Sequence, residues 1–154
     1  ELTIHARTKV DGYKQNTIKW SAISDVSAKQ EIRVIANGEI WNLEDAKNCQ
    51  QVTGCSSLML GRGALALPNL AAVIKGEQPP MTYSELLALL TDYSAFEIRG
   101  KKEIYYPNRM KQWLSYLRKH YIQADDLFRK IKTLKKTDEV LNIIKKEADA
   151  IVCQ

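Results

Sequence analysis

The chain has no apolar run of the roughly 18 residues that a membrane-spanning helix needs, and no charged-then-apolar leader stands at its start. Cysteine is scarce. Cys49, Cys55 and Cys153 are an odd number, with no Cys-x-x-Cys pair and no histidine nearby. That spacing argues against a disulfide framework and against a zinc site, and nothing marks any of the three as a nucleophile. Buried or incidental thiols in a reducing, cytoplasmic setting are the expectation. An initiator methionine is also absent: Glu1-Leu2-Thr3-Ile4 runs straight into a β-prone segment. A piece of a longer chain is therefore expected.

What is present is ordinary for a globular protein. The 154 residues are 45% hydrophobic and 27% charged, enough for a core in one domain or two small ones. The net charge of +5 is spread unevenly. Residues 1–82 carry 9 Lys and Arg against 8 Asp and Glu, whereas residues 99–136 carry 12 against 3, a local charge of +9. A polyanionic partner is expected for the second half.

The first half alternates strand and helix signals. Leu2-Thr3-Ile4-His5 reads as a strand, and Asn16 or Thr17 is placed to cap a helix carrying Ile18, Trp20, Ala22, Ile23 and Val26. Ile32 to Ala36 reads as a β-branched strand ending at Asn37-Gly38. Asn42 caps a helix with Glu44 and Asp45 in its first turn, Thr53-Gly54 closes it, and Leu58-Met59-Leu60 forms a third strand. Three βα units in series predict a parallel sheet with helices outside it. A closed (β/α)₈ barrel takes eight units and roughly 250 residues, so this half is at most part of one.

Pro79-Pro80 marks a boundary, giving domains of residues 1–80 and 81–154. Beyond it the period becomes helical. Thr82-Tyr83-Ser84-Glu85 has the form of a capping box, followed by Leu86, Leu87, Leu90, Tyr93 and Phe96, with a stop near Gly100. Met110, Trp113, Leu114, Leu117 and Tyr121 define one face of a helix from Arg109 to Tyr121. Leu127, Phe128, Ile131 and Leu134 define the next, and Val140, Ile144, Ala148 and Ile151 the last, beginning near Asp138. The fold class is thus α/β followed by an all-α bundle.

Candidate chemistry sits where each strand ends: His5-Ala6-Arg7, Asn37-Gly38-Glu39 and Gly61-Arg62-Gly63. Ligands of α/β sheets bind at the carboxyl ends of the strands. A glycine turn leading into a helix exposes backbone N–H groups to an anion, and an arginine there adds a fixed cation. A plain tight turn with a surface arginine is the alternative for the third cluster, but three polar clusters at three equivalent strand ends exceed what turn chemistry alone predicts. On the Arg109–Tyr121 helix, Lys111, Gln112, Ser115, Arg118 and Lys119 face outward, and no carboxylate stands at i+4 from its lysines. An unpaired basic stripe fits phosphates better than it fits solubility alone.

Four segments carry a resemblance. H-A-R-T-K-x-D-G-Y, V-I-A-N-G-E-I, M-L-G-R-G-A-L-x-x-P-N-L and R-M-K-Q-W-L-S-Y-L-R-K are similar, in order and spacing, to the C-terminal half of the tRNA-dihydrouridine synthases. The similarity runs from residue 2 to about 150 and is greatest to the subclass that reduces uridine 16 of the D-loop. It implies the C-terminal part of an FMN-binding TIM barrel followed by a helical tRNA-binding domain. It also implies reduced FMN, recharged by NADPH, as hydride donor to the uracil C5–C6 bond.

Carried onto these positions, the resemblance places His5, Asn37, Gly38, Glu39, Gly61 and Arg62 at the cofactor, the last two at its phosphate. Lys14, Lys111, Gln112, Ser115, Lys119 and Lys132 would lie against the tRNA. The family's general-acid cysteine and its partner lysine fall upstream of Glu1, so no catalytic residue is expected in these 154 and the chain alone should be inactive. The parent would be a cytoplasmic monomer, and the piece would self-associate through open sheet edges. Two other readings remain: an FMN-dependent barrel enzyme acting on a small molecule, and a non-catalytic RNA-binding module. The +9 segment speaks against the first, and bound flavin would exclude the second.

Overall fold

The computed structural model describes residues 1–10, 17–97 and 105–152. Lys14 and its neighbours Asp11-Gly12-Tyr13, Asn16, Gly100, the cations Arg99, Lys101 and Lys102, and Cys153 lie outside the described residues, as does the side chain of Phe96. The chain divides into two compact units, Glu1–Pro80 and Met81–Gln154.

In the first unit, β1 (Leu2–His5), β2 (Val34–Asn37) and β3 (Ser57–Met59) form a parallel sheet in that order. Leu2 stands opposite Val34, His5 opposite Asn37, and Asn37 opposite Met59. The strand ends that carry the candidate clusters are thereby brought level. α1 (Trp20–Ser27) and α2 (Leu43–Thr53) are the helices of the connections. α3 (Arg62–Ala66) and α4 (Leu70–Lys75) follow β3. Val34 and Ala36 of β2 meet Ile23, Ala46, Cys49 and Cys55 in a core bordered by Ile4, Trp20, Leu58 and Ile74. Most of β1 is exposed, and Leu2 and Met59 stay open to solvent. Parallel sheets are ordinarily covered on both faces.

Asn42 caps α2 as expected, its side chain accepting from the Asp45 N–H at 2.8 Å. Gly54 ends that helix at φ 70°, a left-handed conformation that glycine adopts without penalty. Other boundaries differ. α1 starts at Trp20, with Lys19 at its N-cap and no side-chain cap, so Thr17 does not have the capping role. Ile32 lies outside β2 and half exposed, and Ala22 faces solvent, not the core.

The second unit is helical: α5 (Tyr83–Glu97), α6 (Tyr105–Leu117), α7 (Gln123–Ile131) and α8 (Thr137–Val152). The capping box at the start of α5 is formed. The Thr82 N–H donates to Glu85 Oε2 at 2.7 Å, and the Glu85 N–H donates to Thr82 Oγ1 at 3.3 Å. The Thr82 N–H and the Thr82 hydroxyl, which donates to Glu85 Oε2 at 2.8 Å, hold the Glu85 carboxyl below its ordinary value. The core is built from Leu86, Leu87 and Leu90 of α5, Tyr106, Met110, Leu114 and Leu117 of α6, Leu127 and Ile131 of α7, and Val140 and Ile144 of α8. Burying each such side chain contributes about 1.5–3 kcal/mol.

The Arg109–Tyr121 helix is corrected at both ends. α6 begins at Tyr105, because Pro107 sits in the first turn, where a missing N–H costs nothing. It ends at Leu117. Tyr121 lies beyond it, still buried, with its hydroxyl donating to the Met81 carbonyl at 2.9 Å. Trp113 is only half buried and packs edge-on against Tyr93. Leu134 likewise falls after the end of α7.

Candidate functional site

In the first unit, the three clusters meet at the carboxyl edge of the sheet. His5 Nδ1 lies 3.2 Å from Asn37 Oδ1, which joins the ends of β1 and β2. Gly38 is buried at φ 133°, beyond the range of other residues, and a Cβ there would meet Ile18 Cδ1 at 2.6 Å and the His5 ring at 3.5 Å. Its carbonyl accepts from Trp20 Nε1 at 2.9 Å, which ties the end of β2 to α1.

Glu39 is the centre of the arrangement. It is a non-glycine residue at φ 51°, a conformation that persists only where the surroundings over-determine it. They do so here. Its Oε1 accepts from Arg7 Nη2 at 2.8 Å and from Arg62 Nη2, while Oε2 accepts from Trp41 Nε1 at 2.7 Å. Burial pushes the Glu39 carboxyl up, but the Trp41 hydrogen bond and the two guanidinium groups more than offset it. The net position is below the ordinary carboxylate value. Two arginines around one carboxylate leave the cluster one positive charge in excess, a balance that favours an anion.

Gly61 and Gly63 have different jobs. A Cβ on Gly61 would meet nothing within 4 Å, whereas one on Gly63 would collide with the Ile40 carbonyl oxygen. Gly63 therefore serves the close approach of α3 to the β2 loop. Only Gly61 leaves open space beside the first turn of α3, which has no side-chain cap. Arg62 is the partly exposed cation at that spot, its side chain 32% exposed against 2% for Arg7.

Two participants carried no signal strong enough to select them. Arg7 belongs to the first cluster, yet its side chain is buried, and its Nε and Nη1 find no hydrogen-bond partner among the described residues. Trp41 lies two residues after Glu39, with the Arg62 guanidinium 5.5 Å from its ring centroid. The thiols stay outside this cluster. Cys49 and Cys55 are buried and free, and burial raises Cys49 to about 11, with the neighbouring Cys55 adding to the shift against an opposing Thr53 hydrogen bond. Among the described residues no group of His, Cys, Asp and Glu is placed to hold a metal ion, and no helix is long and apolar enough to cross a membrane.

In the second unit, the outer face of α6 is less bare of partners than its sequence implies. Arg118, just past its end, pairs with Asp125 of α7 at 3.3 Å and lies over the Phe128 ring. Lys111 is half buried, and its Nζ donates to the Leu134 carbonyl. Gln112 and Lys119 are exposed; Ser115 is half buried and its hydroxyl donates to the Gln112 carbonyl at 2.6 Å. On α7, Arg129 pairs with Asp125 and Asp126, and Lys130 with Glu147. Lys132, Lys135 and Lys136, in the connection to α8, are exposed, and no carboxylate pairs with them among the described residues.

The model of the dihydrouridine synthase family matches residues 1–151. The chain belongs to this family. Among its relatives is a tRNA-dihydrouridine(16) synthase of Shewanella oneidensis, 51% identical over 144 residues, which are 94% of this chain and 45% of that protein. The proteins of the same name in Vibrio parahaemolyticus and Escherichia coli K12 are 47% identical over 98% of this chain and 44% identical over 94% of it, matching 47% and 46% of their own lengths. The chain thus spans about half the length of the curated relatives it matches. Within the family match, the strand-end cluster and the basic helical face fall in separate compact units.

Proposed function

We propose that this chain is the C-terminal half of a tRNA-dihydrouridine synthase, which uses FMN and NADPH to reduce the C5–C6 bond of a D-loop uridine, at position 16. The observation that carries the proposal is 51% identity, over 94% of the chain, to a protein bearing that name. Three parallel strands, of which the edge strand β1 is mostly exposed, support reading the first unit as the last part of a TIM barrel completed by preceding strands. On the same reading the whole protein is a cytoplasmic monomer, and the isolated half associates through the open edges of β1 and β3.

The residues present fit the phosphate end of a flavin mononucleotide. Gly61 leaves space at the start of α3, Arg62 stands there partly open, and the surrounding charge is positive. FMN, when bound and reduced, supplies the hydride. The chain's own contribution is to hold it. Gly61 offers a backbone N–H, and Arg62 a planar cation suited to two phosphate oxygens. His5 and Asn37 border the ligand from β1 and β2. Gly38 and Glu39 do so through their backbone, since the Glu39 carboxylate is already occupied by Arg7, Arg62 and Trp41.

The second unit, residues 81–154, is the tRNA-binding part. Lys119 and Lys132 act on phosphates, and Lys135 and Lys136 extend that line. Gln112 and Ser115 supply neutral contacts. Lys111 acts both as a cation and as the fastener of residue 134, and Lys14 belongs to the same proposed set. Purification of the full-length protein tests the reading. It should carry stoichiometric flavin and consume NADPH faster when unmodified tRNA is added. A colourless protein that ignores tRNA would overturn the proposal.

A further inference from the structure

Trp41 touches both members of the ion pair that faces the proposed phosphate. Its Nε1–H donates to Glu39 Oε2 at 2.7 Å, and its ring lies beside the Arg62 guanidinium, 5.5 Å from centroid to carbon. The backbone of Trp41 is itself anchored. The Trp41 backbone N–H donates to Asp45 Oδ2 at 2.9 Å, in the first turn of α2, and Asn42 closes the same turn from the other side. Arg62 is thus held between a carboxylate and an aromatic ring, with its side chain 32% exposed.

An arginine on a long flexible stem loses rotamer freedom when it grips a ligand, and one already held in place loses less. The indole is uncharged, so removing it loosens Arg62 without changing the charge an anion meets. We propose that Trp41 is a positioning residue for anion recognition, fixing the Arg62 guanidinium so that the site distinguishes a phosphorylated flavin from its unphosphorylated counterpart. The inference rests on the flavin reading above. Glu39 acts in the same chain of contacts, but its removal would both free a positive charge and strand the buried Arg7, so Trp41 gives the cleaner test.

The test is the affinity of the flavin-stripped full-length protein for FMN and for riboflavin, by titration calorimetry, in wild type, Trp41→Phe, Trp41→Leu and Arg62→Ala. A cation–π contact and a charge-assisted hydrogen bond together lead us to expect that Trp41→Leu weakens FMN by about threefold to tenfold and leaves riboflavin within about twofold. Trp41→Phe keeps a ring beside Arg62 and should fall between. In an Arg62→Ala background, Trp41→Leu should add nothing. Equal losses for FMN and riboflavin would show that the indole only supports the fold and would overturn the inference, as would unchanged FMN affinity in both Trp41 variants. If Arg62→Ala itself leaves FMN unchanged, the phosphate assignment falls and the role of Trp41 with it. A wild type that binds neither flavin refutes the underlying reading instead.

Discussion

Replacing Glu39 by Gln removes the one carboxylate between two guanidinium groups and leaves the rest of the cluster in place. Arg7 then keeps its charge in a site where its side chain is only 2% exposed, with Nε and Nη1 already without a partner among the described residues. Breaking a buried pair from one side costs about 3–5 kcal/mol, because a charge is left uncompensated. The Glu39→Gln protein should therefore lose at least about 5 °C in melting temperature at neutral pH. Removing both charges, as Glu39→Gln with Arg7→Met, should recover much of the loss, since the stranded cation is gone.

The pH dependence has a definite sign. The folded-state value of Glu39 lies below its ordinary 4.5, so its ionised form stabilises the fold fully above about that pH and progressively less as pH falls through the folded value. The gap between wild type and Glu39→Gln should accordingly narrow on acidification below about pH 4.5. Thermal melts of the full-length proteins across a pH series measure it. A variant as stable as wild type at neutral pH, or a gap that widens in acid, would refute the account of this cluster.

Two further outcomes follow from the same geometry. Lys135→Ala with Lys136→Ala should reduce the slope of log K against log[salt] for tRNA binding by about 1.5, at roughly 0.7–0.9 for each phosphate no longer neutralised; an unchanged slope in a filter-binding series would make these lysines a solvated surface. Cys49, buried and shifted up to about 11, should resist iodoacetamide in the native protein and react only on unfolding, as peptide mass mapping would show.

Much of this arrangement was legible in the residues, and the exceptions share a cause. Asn42 and Thr82 act within their own turns, so their caps could be read from local spacing. The three strand ends were readable because apolar runs stop at polar clusters, and parallel pairing then sets His5 beside Asn37. The partnership of Arg118 with Asp125 was not readable from α6, because the carboxylate arrives from the next helix. Lys111 reads as a purely outward cation for the same reason, since its acceptor is a backbone carbonyl 23 residues on. The start of α6 reads four residues late, at Arg109, because its first turn accommodates Pro107. Trp41 carried no periodic signal, because its role is set by Glu39 within its own loop and by Arg62, which arrives from the start of α3.

The proposed activity is tested most directly by mapping dihydrouridine in tRNA. Unmodified transcript would be incubated with the full-length protein, FMN and NADPH, and digested for mass spectrometry. The account predicts a gain of two hydrogens on the uridine at position 16 of the D-loop, dependent on NADPH. Transcript that stays unreduced at every D-loop uridine, with flavin-loaded protein and NADPH present, would contradict it.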